Sequence, residues 1–166
     1  IAALPLVGDG SAYQQRQIPL IAPTQRLPSG GLVYTSSLSW LKDIAGGLIS
    51  LTWQQWRALR RQRTEFDLVI AVGDSISLMF AYISGRPFIS FLVANSSYYE
   101  GKLRLPITMD WWLKSSRCQQ AIAKDLLTAQ DLQKQGIAAT CVGYPIMDAL
   151  PPSTQTLEPN QSPFIA

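Results

Sequence analysis

Apolar residues in this chain come in short runs of two kinds, separated by glycine, proline and polar residues. Residues 67–72 (DLVIAV) are almost continuously apolar, which is typical of a strand buried on both faces of a sheet. Residues 75–84 (SISLMFAYIS) repeat their apolar positions at helical spacing, and Gly85 follows as a helix-ending residue. The pattern therefore predicts a strand, a tight turn at Gly73 and Asp74, and a helix.

The same alternation continues along the chain. We predict strands at residues 2–7, 19–22, 67–72, 87–93, 120–123 and 138–142. We predict a short helical segment within residues 11–17 and a long helix from about 36 to 63 with a break at Gly46 and Gly47. Further helices are predicted at 75–84, at 110–113 and, with Thr128 as the cap, at 129–135. Alternating strands and helices predict an α/β fold, a Rossmann-like parallel sheet with helices on both faces.

The composition divides the chain into two parts. Residues 1–150 have the pattern of one domain, whereas residues 151–163 (PPSTQTLEPNQSP) have the composition of a linker. Residues 164–166 are apolar and could begin another strand. The chain starts on an apolar run, IAALPLV, that already has the pattern of a strand. We therefore expect a further N-terminal segment and a second domain outside this sequence.

Charge and residue types exclude several classes of function. The chain is 47% hydrophobic and 15% charged, which fits a heavily buried sheet, and its net charge is +3. No dense Lys/Arg block of the kind that binds nucleic acid is present. The sequence contains no histidine, and Cys118 and Cys141 are far apart, so a zinc site and histidine-dependent nucleophilic catalysis are not expected. We predict no metal and no cofactor.

One basic cluster lies at the end of the predicted long helix. It is either a solvated helix end, where cations favour the helix dipole, or a surface for anionic lipid head groups. Its members are Arg57, Arg60, Arg61 and Arg63.

Candidate ligand-binding residues follow three predicted strands, since ligands of open α/β sheets bind at the carboxyl ends of the strands. The first group is Gly8, Asp9 and Gly10, which could present backbone N–H groups to an anion or a sugar, or could be a plain tight turn. The second group is Gly73, Asp74 and Ser75, whose carboxylate could act chemically or only cap the next helix. The third group is Asn95, Ser96 and Tyr99, which could bind sugar hydroxyls and rings, or close a turn over the core.

Several segments taken together resemble a family related to lipid-A-disaccharide synthase, which occurs mainly in photosynthetic bacteria. They are LPLVGDGSAYQ, PTQRLPSGG, DLVIAVGDSISLMFAYISGRPF, SSYYEG, LTAQDLQKQG and VGYPIMDAL, and they follow in this order along nearly the whole chain. Lipid-A-disaccharide synthases are GT-B glycosyltransferases with two Rossmann-like domains around a cleft. The resemblance implies that residues 1–150 are the acceptor-side domain without its first strand and helix, and that residues 151–166 lead to an absent donor domain.

The resemblance implies transfer of a hexosamine-type sugar from a UDP-sugar to a lipid or glycan acceptor in lipid A biosynthesis. The UDP-sugar would bind mainly to the absent domain, so this chain alone would be inactive. Asp74 would be the catalytic base, with Asp9 as a distant second candidate, and Gly8, Asp9, Gly10, Gly73, Ser75, Asn95, Ser96 and Tyr99 would contact the acceptor. The protein would be cytoplasmic and peripheral on the inner membrane, and it could form a homo-oligomer.

Two positions depart from the synthase pattern. Ser77 stands where the synthase has a second acidic residue, and Tyr144 stands where it has a histidine. These departures leave two alternatives open: a non-catalytic binding or scaffold protein with the GT-B shape, and a UDP-sugar epimerase.

Overall fold

Four parallel strands form one sheet in the order in which they occur along the chain. The computed structural model describes residues 1–6, 8–28, 39–73, 75–93, 103 and 105–143. The strands are β1 (Val69–Val72), β2 (Phe88–Phe91), β3 (Cys118–Ala123) and β4 (Ala139–Cys141), and each pairs in parallel with the next. The predicted α/β fold with a Rossmann-like parallel sheet is confirmed.

Helices connect the strands and precede the sheet. They are α1 (Ser11–Gln15), α2 (Ser39–Ala45), α3 (Leu48–Gln62), α4 (Ser75–Ser84), α5 (Ile107–Leu113) and α6 (Leu126–Lys134). A 3-10 turn, Arg63–Glu65, continues α3. The predicted break at Gly46 and Gly47 separates α2 from α3, and the predicted bounds of α4 are confirmed.

One apolar core joins the sheet to its three crossover helices. Alternate strand residues point into it, among them Ala71, Phe88, Ala121, Ala123 and Ala139. The helices add Leu78 and Ala81 from α4, Met109 and Leu113 from α5, and Ala129 and Leu132 from α6. Because all three helices share one core with the same strand positions, they cover the same face of the sheet. The prediction of helices on both faces was therefore wrong for these three helices, because right-handed crossovers between neighbouring strands put them all on one side.

The opposite sheet face carries exposed apolar side chains. Ile70 and Val72 of β1 are each 65% exposed in the part of the chain that the structure describes. Their positions alternate with Val69 and Ala71, which pack against or within the core. β1 is also an edge strand, since β2 is its neighbour on one side and no other named strand pairs with it among the described residues.

The N-terminal segments form a short parallel pair beside the sheet. The Ala3 N–H donates to the Pro19 carbonyl at 2.8 Å, and the Ile21 N–H donates to the Ala3 carbonyl at 3.0 Å. The predicted strands at 2–7 and 19–22 are therefore reduced to a single bridge between Ala3 and Leu20 in the described residues. Proline explains the short ladder, because Pro5, Pro19 and Pro23 have no N–H to donate.

Two glutamines of α3 donate hydrogen bonds to backbone carbonyls of this N-terminal pair. Gln55, only 2% exposed, donates its side-chain amide to the carbonyls of Pro5 at 2.9 Å and Pro23 at 3.5 Å. Gln62 donates to the carbonyl of Ile21 at 3.4 Å. The two glutamines are seven residues apart and lie on one side of α3, so the helix attaches to the N-terminal pair through polar contacts.

Two predicted helix boundaries were wrong. Helix α6 begins at Leu126 and not at 129, because the cap is Asp125 and not Thr128. The Asp125 carboxylate accepts the Thr128 N–H and the Thr128 hydroxyl, each at 2.7 Å. Helix α5 begins at Ile107 instead of 110, directly after Pro106.

Replacing Gln55 with leucine should destabilise the fold. The change keeps the volume nearly constant but leaves the Pro5 carbonyl without its donor, which costs about 1–3 kcal/mol. Chemical denaturation would measure the loss. Gln54→Leu is the matched control, because Gln54 is exposed on the same helix and should change stability by no more than about 0.5 kcal/mol. Equal effects of the two changes would contradict the anchoring role of Gln55.

Candidate functional site

The first candidate turn directly precedes α1. Gly10 is buried and has a φ of 72°, a backbone conformation that side-chain-bearing residues rarely adopt. A Cβ atom at this position would lie 2.8 Å from the Leu20 side chain and 3.3 Å from the Thr24 hydroxyl. Glycine is thus required both by the backbone and by the packing of the turn against the 20–24 segment. Gly8, with a φ of 93°, makes an antiparallel bridge to Gln25.

The Asp9 carboxylate is held by its neighbours. Its Oδ1 accepts hydrogen bonds from the Ser11 hydroxyl at 2.7 Å and the Ser11 N–H at 3.1 Å. Its Oδ2 lies 2.7 Å from the Arg26 guanidinium. The Ser11 hydroxyl, the Ser11 N–H and Arg26 together lower the pKa of Asp9 below its ordinary value. A carboxylate with a lowered pKa is a weak proton acceptor, so Asp9 is suited to ordering this turn and not to general-base catalysis.

The second candidate turn joins β1 to α4. Gly73 has a φ of 119°, and a Cβ there would lie 3.1 Å from the Ser77 hydroxyl. The Ser75 hydroxyl donates to the Met109 sulfur of α5 at 3.1 Å. This contact attaches the first turn of α4 to the next crossover helix. The turn therefore has fixed ends on both sides of the position that Asp74 occupies in the sequence.

A cavity of 760 Å³ opens beside β1 and reaches this turn. Its two sides are residues 2–6 and residues 68–73, and α3 and α4 contribute Leu48, Gln55, Leu59, Phe80 and Ala81. Gly73, Ser75 and Ser77 line its end at the carboxyl terminus of β1, together with Tyr13 of α1. The cavity thus joins a mainly apolar interior to a polar rim.

Only part of the predicted site lies at this cavity in the structure. Gly73 and Ser75 line the cavity, whereas Gly8, Asp9 and Gly10 do not, although Tyr13 in the helix that follows them does. Four predicted site residues, Asp74, Asn95, Ser96 and Tyr99, lie outside the described residues, as does Tyr144. Their predicted roles stay predictions.

Sequence reasoning missed two contributors to this region. Tyr13 was not singled out, because it lies in a short polar helix where its ring has no apolar pattern to join. The link between Ser75 and Met109 was missed because it joins residues 34 positions apart. The only local signal for Tyr13 was an aromatic residue within one turn of a Gly-Asp-Gly sequence.

A second apolar cavity of 490 Å³ lies between α3 and α4. Trp53 and Ile49, both exposed, and Trp56 line its α3 side. The Arg60 guanidinium lies 5.2 Å from the centre of the Trp56 ring, and Arg57 and Arg61 are exposed on the same helix. The basic cluster is therefore contiguous with exposed tryptophan.

The described residues contain neither a metal-ligand cluster nor a membrane-spanning helix. No group of three or more histidine, cysteine, aspartate or glutamate residues among them could hold a metal ion. None of the helices there is long and apolar enough to cross a bilayer. Cys118 and Cys141 are free and partly buried, and burial raises the pKa of Cys118.

Ser11→Ala should raise the pKa of Asp9, because the Ser11 hydroxyl makes the largest contribution to holding it down. A carboxyl-detected NMR titration would measure the shift. Arg26→Gln should raise the pKa less, since that pair is exposed to solvent. The ionised Asp9 carboxylate stabilises the folded state at pH values above the ordinary pKa of aspartate, which applies in the unfolded chain. This stabilisation is lost as the pH falls through the lowered pKa of the folded state. An unchanged Asp9 pKa in Ser11→Ala would contradict the assignment.

Comparisons with known proteins leave the fold and the cavity as the basis for a functional argument. No protein-family model, no curated protein and no solved structure matches this chain.

Proposed function

We propose that this chain is the acceptor-side domain of a two-domain glycosyltransferase that resembles lipid-A-disaccharide synthase. The reaction would move a hexosamine-type sugar from a UDP-sugar to a lipid-linked or glycan acceptor. The observation that supports this best is the 760 Å³ cavity, whose polar rim lies at the carboxyl end of β1. This is where ligands of open α/β sheets bind.

The rim has features suited to a sugar that carries an apolar group. Tyr13 offers a ring face and a hydroxyl, Ser75 offers a hydroxyl, and Gly73 lets the backbone come close to a ligand. The apolar side chains behind them suit the part of an acyl chain nearest the sugar. The acceptor hydroxyl would then face the turn that contains Asp74.

Asp74 is the proposed general base. It would take the proton of the acceptor hydroxyl while that oxygen bonds to the anomeric carbon of the donor and the bond to UDP breaks. Its sequence neighbours Gly73 and Ser75 both line the cavity, which supports placing the base at this rim. The hydrogen bonds and lowered pKa of Asp9 make it the poorer candidate.

A non-catalytic binding protein is the second candidate. The position of a second acidic residue is taken by Ser77, whose hydroxyl lies beside Gly73, so a second carboxylate is absent from the described part of this turn. A domain that kept the cavity but lost catalysis would still bind an acylated sugar. The UDP-sugar epimerase alternative has no observation of its own in its favour.

A substitution at Asp74 separates the two candidates. In a protein that includes the donor-side domain, Asp74→Asn should lower kcat by a factor of about 100 to 10,000, the range that a general base contributes. UDP release from UDP-N-acetylglucosamine with an acylated glucosamine acceptor would be the assay. Asp9→Asn is the matched control and should keep most of the activity.

Four outcomes of this assay carry different meanings. Unchanged turnover in Asp74→Asn would contradict the base assignment. No turnover by the unsubstituted protein, with retained binding of the acylated sugar, would favour the binding protein. Release of UDP without transfer would point to an epimerase. Turnover by residues 1–166 alone would contradict the two-domain proposal.

We also propose that α3 places the protein at an anionic membrane surface. Exposed Trp53 and Ile49 offer interfacial apolar contacts, and Arg57, Arg60 and Arg61 are exposed beside them. Tryptophan and arginine at one helix surface match the chemistry of the lipid head-group region.

Vesicle sedimentation would test this membrane proposal. Binding to phosphatidylglycerol vesicles should weaken as salt increases, and Arg57→Gln with Arg60→Gln should weaken it about 30-fold, since each charge contributes about 1 kcal/mol near the surface. Arg16→Gln with Lys134→Gln removes the same charge elsewhere in the chain and should have a smaller effect. Equal losses in both variants, or binding that salt does not change, would contradict the proposal.

A further inference from the structure

The 760 Å³ cavity is bordered on two sides by backbone segments that could pair with a strand. It lies between two extended backbone segments, residues 2–6 on one side and residues 68–73 on the other. Each of these segments is paired on its far side: Ala3 pairs with the 19–21 segment, and β1 pairs with β2. The gap between them therefore interrupts what would otherwise be one continuous sheet.

The edge of β1 that borders the cavity carries backbone groups that have no strand partners among the described residues. Val69 and Gly73 donate their N–H groups toward β2, to the carbonyls of Pro87 and Phe91, each at 3.0 Å. Since successive residues of a strand present their N–H and C=O groups to opposite edges, Ile70 and Val72 present theirs toward the cavity. A strand placed there would pair with both.

The facing segment presents the complementary edge. Ala3 uses both its N–H and its C=O for the pairing with residues 19–21. By the same alternation, Ala2 and Leu4 present their backbone groups toward the cavity. Pro5, which has no N–H, falls on the side of the 19–21 segment, so the proline removes no donor from the cavity edge.

The size and the side chains of the cavity fit a short apolar strand. With a rise of about 3.3 Å, a spacing of about 4.8 Å and packed layers about 10 Å apart, one strand residue occupies roughly 160 Å³. The 760 Å³ cavity thus has room for about five residues, the length of the segments that border it. Leu48, Leu59, Phe80 and Ala81 of the two neighbouring helices give it an apolar floor.

We propose that this cavity binds one extended peptide segment, apolar on both faces, which pairs with Ile70 and Val72 on one side and Ala2 and Leu4 on the other. The occupant is a polypeptide strand and not a small molecule, because both walls offer rows of strand-spaced backbone donors and acceptors. The strand and the acyl group of the acceptor proposed above would occupy the same apolar interior, so the strand would exclude the acyl group and leave only the polar rim at Gly73 and Ser75 for a sugar. The strand proposal does not depend on any transferase activity.

A synthetic peptide tests the pairing directly. The probe has about five central valine and isoleucine residues, enough to fill the cavity, and flanking lysines for solubility. On binding, hydrogen exchange of the Ile70 and Val72 amides should slow at least about tenfold, while the paired amides of β3 change little. The matched control peptide carries N-methyl groups on alternate amides, which keeps its apolarity and removes its donors on one edge.

A variant supplies a second, independent readout. Ile70→Pro removes an N–H that faces the cavity and not β2, so the edge strand should tolerate it and circular dichroism should show an intact fold. It should weaken peptide binding at least about tenfold. Conservative Ile70→Val keeps the N–H and should bind the peptide normally.

Each alternative occupant gives its own result. Equal binding of both peptides would show that the cavity takes any apolar molecule and would overturn the proposal. Slow exchange at Ile70 and Val72 without peptide, together with a dimer in sedimentation, would replace the peptide with a second copy of the chain. Absence of peptide binding by the folded, unsubstituted protein would also overturn it.

Discussion

Right-handed connection between neighbouring parallel strands is the constraint on which most of this structure depends. When parallel strands follow one another in order across a sheet, every right-handed crossover puts its helix on the same side of the sheet. The shared core of α4, α5 and α6 is the result. One face of the sheet is buried deeply, while Ile70 and Val72 on the other face stay exposed among the described residues.

The small residues of the covered face follow from the same constraint. Three helices must lie close to four strands, and alanine at positions 71, 121, 123 and 139 lets them approach. Ser90 points into this layer, fully buried, and its hydroxyl has no hydrogen-bond partner among the described residues. A polar group that is buried without a partner in that position lowers the stability of the fold.

Sequence patterns predicted the elements whose signals are local. Helix α4 could be placed because glycine precedes and follows a single apolar stretch, and the break between α2 and α3 because two glycines are adjacent. Thr128 was taken as a cap because it precedes a helical pattern, although Asp125 accepts its N–H. Both residue types can cap, and only the backbone conformation distinguishes them.

Within the candidate site, the sequence predicted only the residues that directly follow a strand. Gly73 and Ser75 could be located because they follow an apolar run, and both line the cavity. The binding of Asp9 by Arg26 and the binding of the Pro5 carbonyl by Gln55 could not be found, because they join residues 17 and 50 positions apart. Prolines interrupt the N-terminal ladder, and helix side chains replace the missing backbone donors. The periodicity of apolar residues does not predict such a replacement.

The unpaired edge of β1 has a consequence for handling the chain by itself. Its sequence VIAV contains no charged residue and no proline, the devices with which natural edge strands discourage association. Such an edge is a template for strands of other molecules, and the exposed Ile70 and Val72 side chains favour their attachment. Concentrated solutions of this chain should therefore aggregate edge to edge, starting at β1, unless the edge is covered.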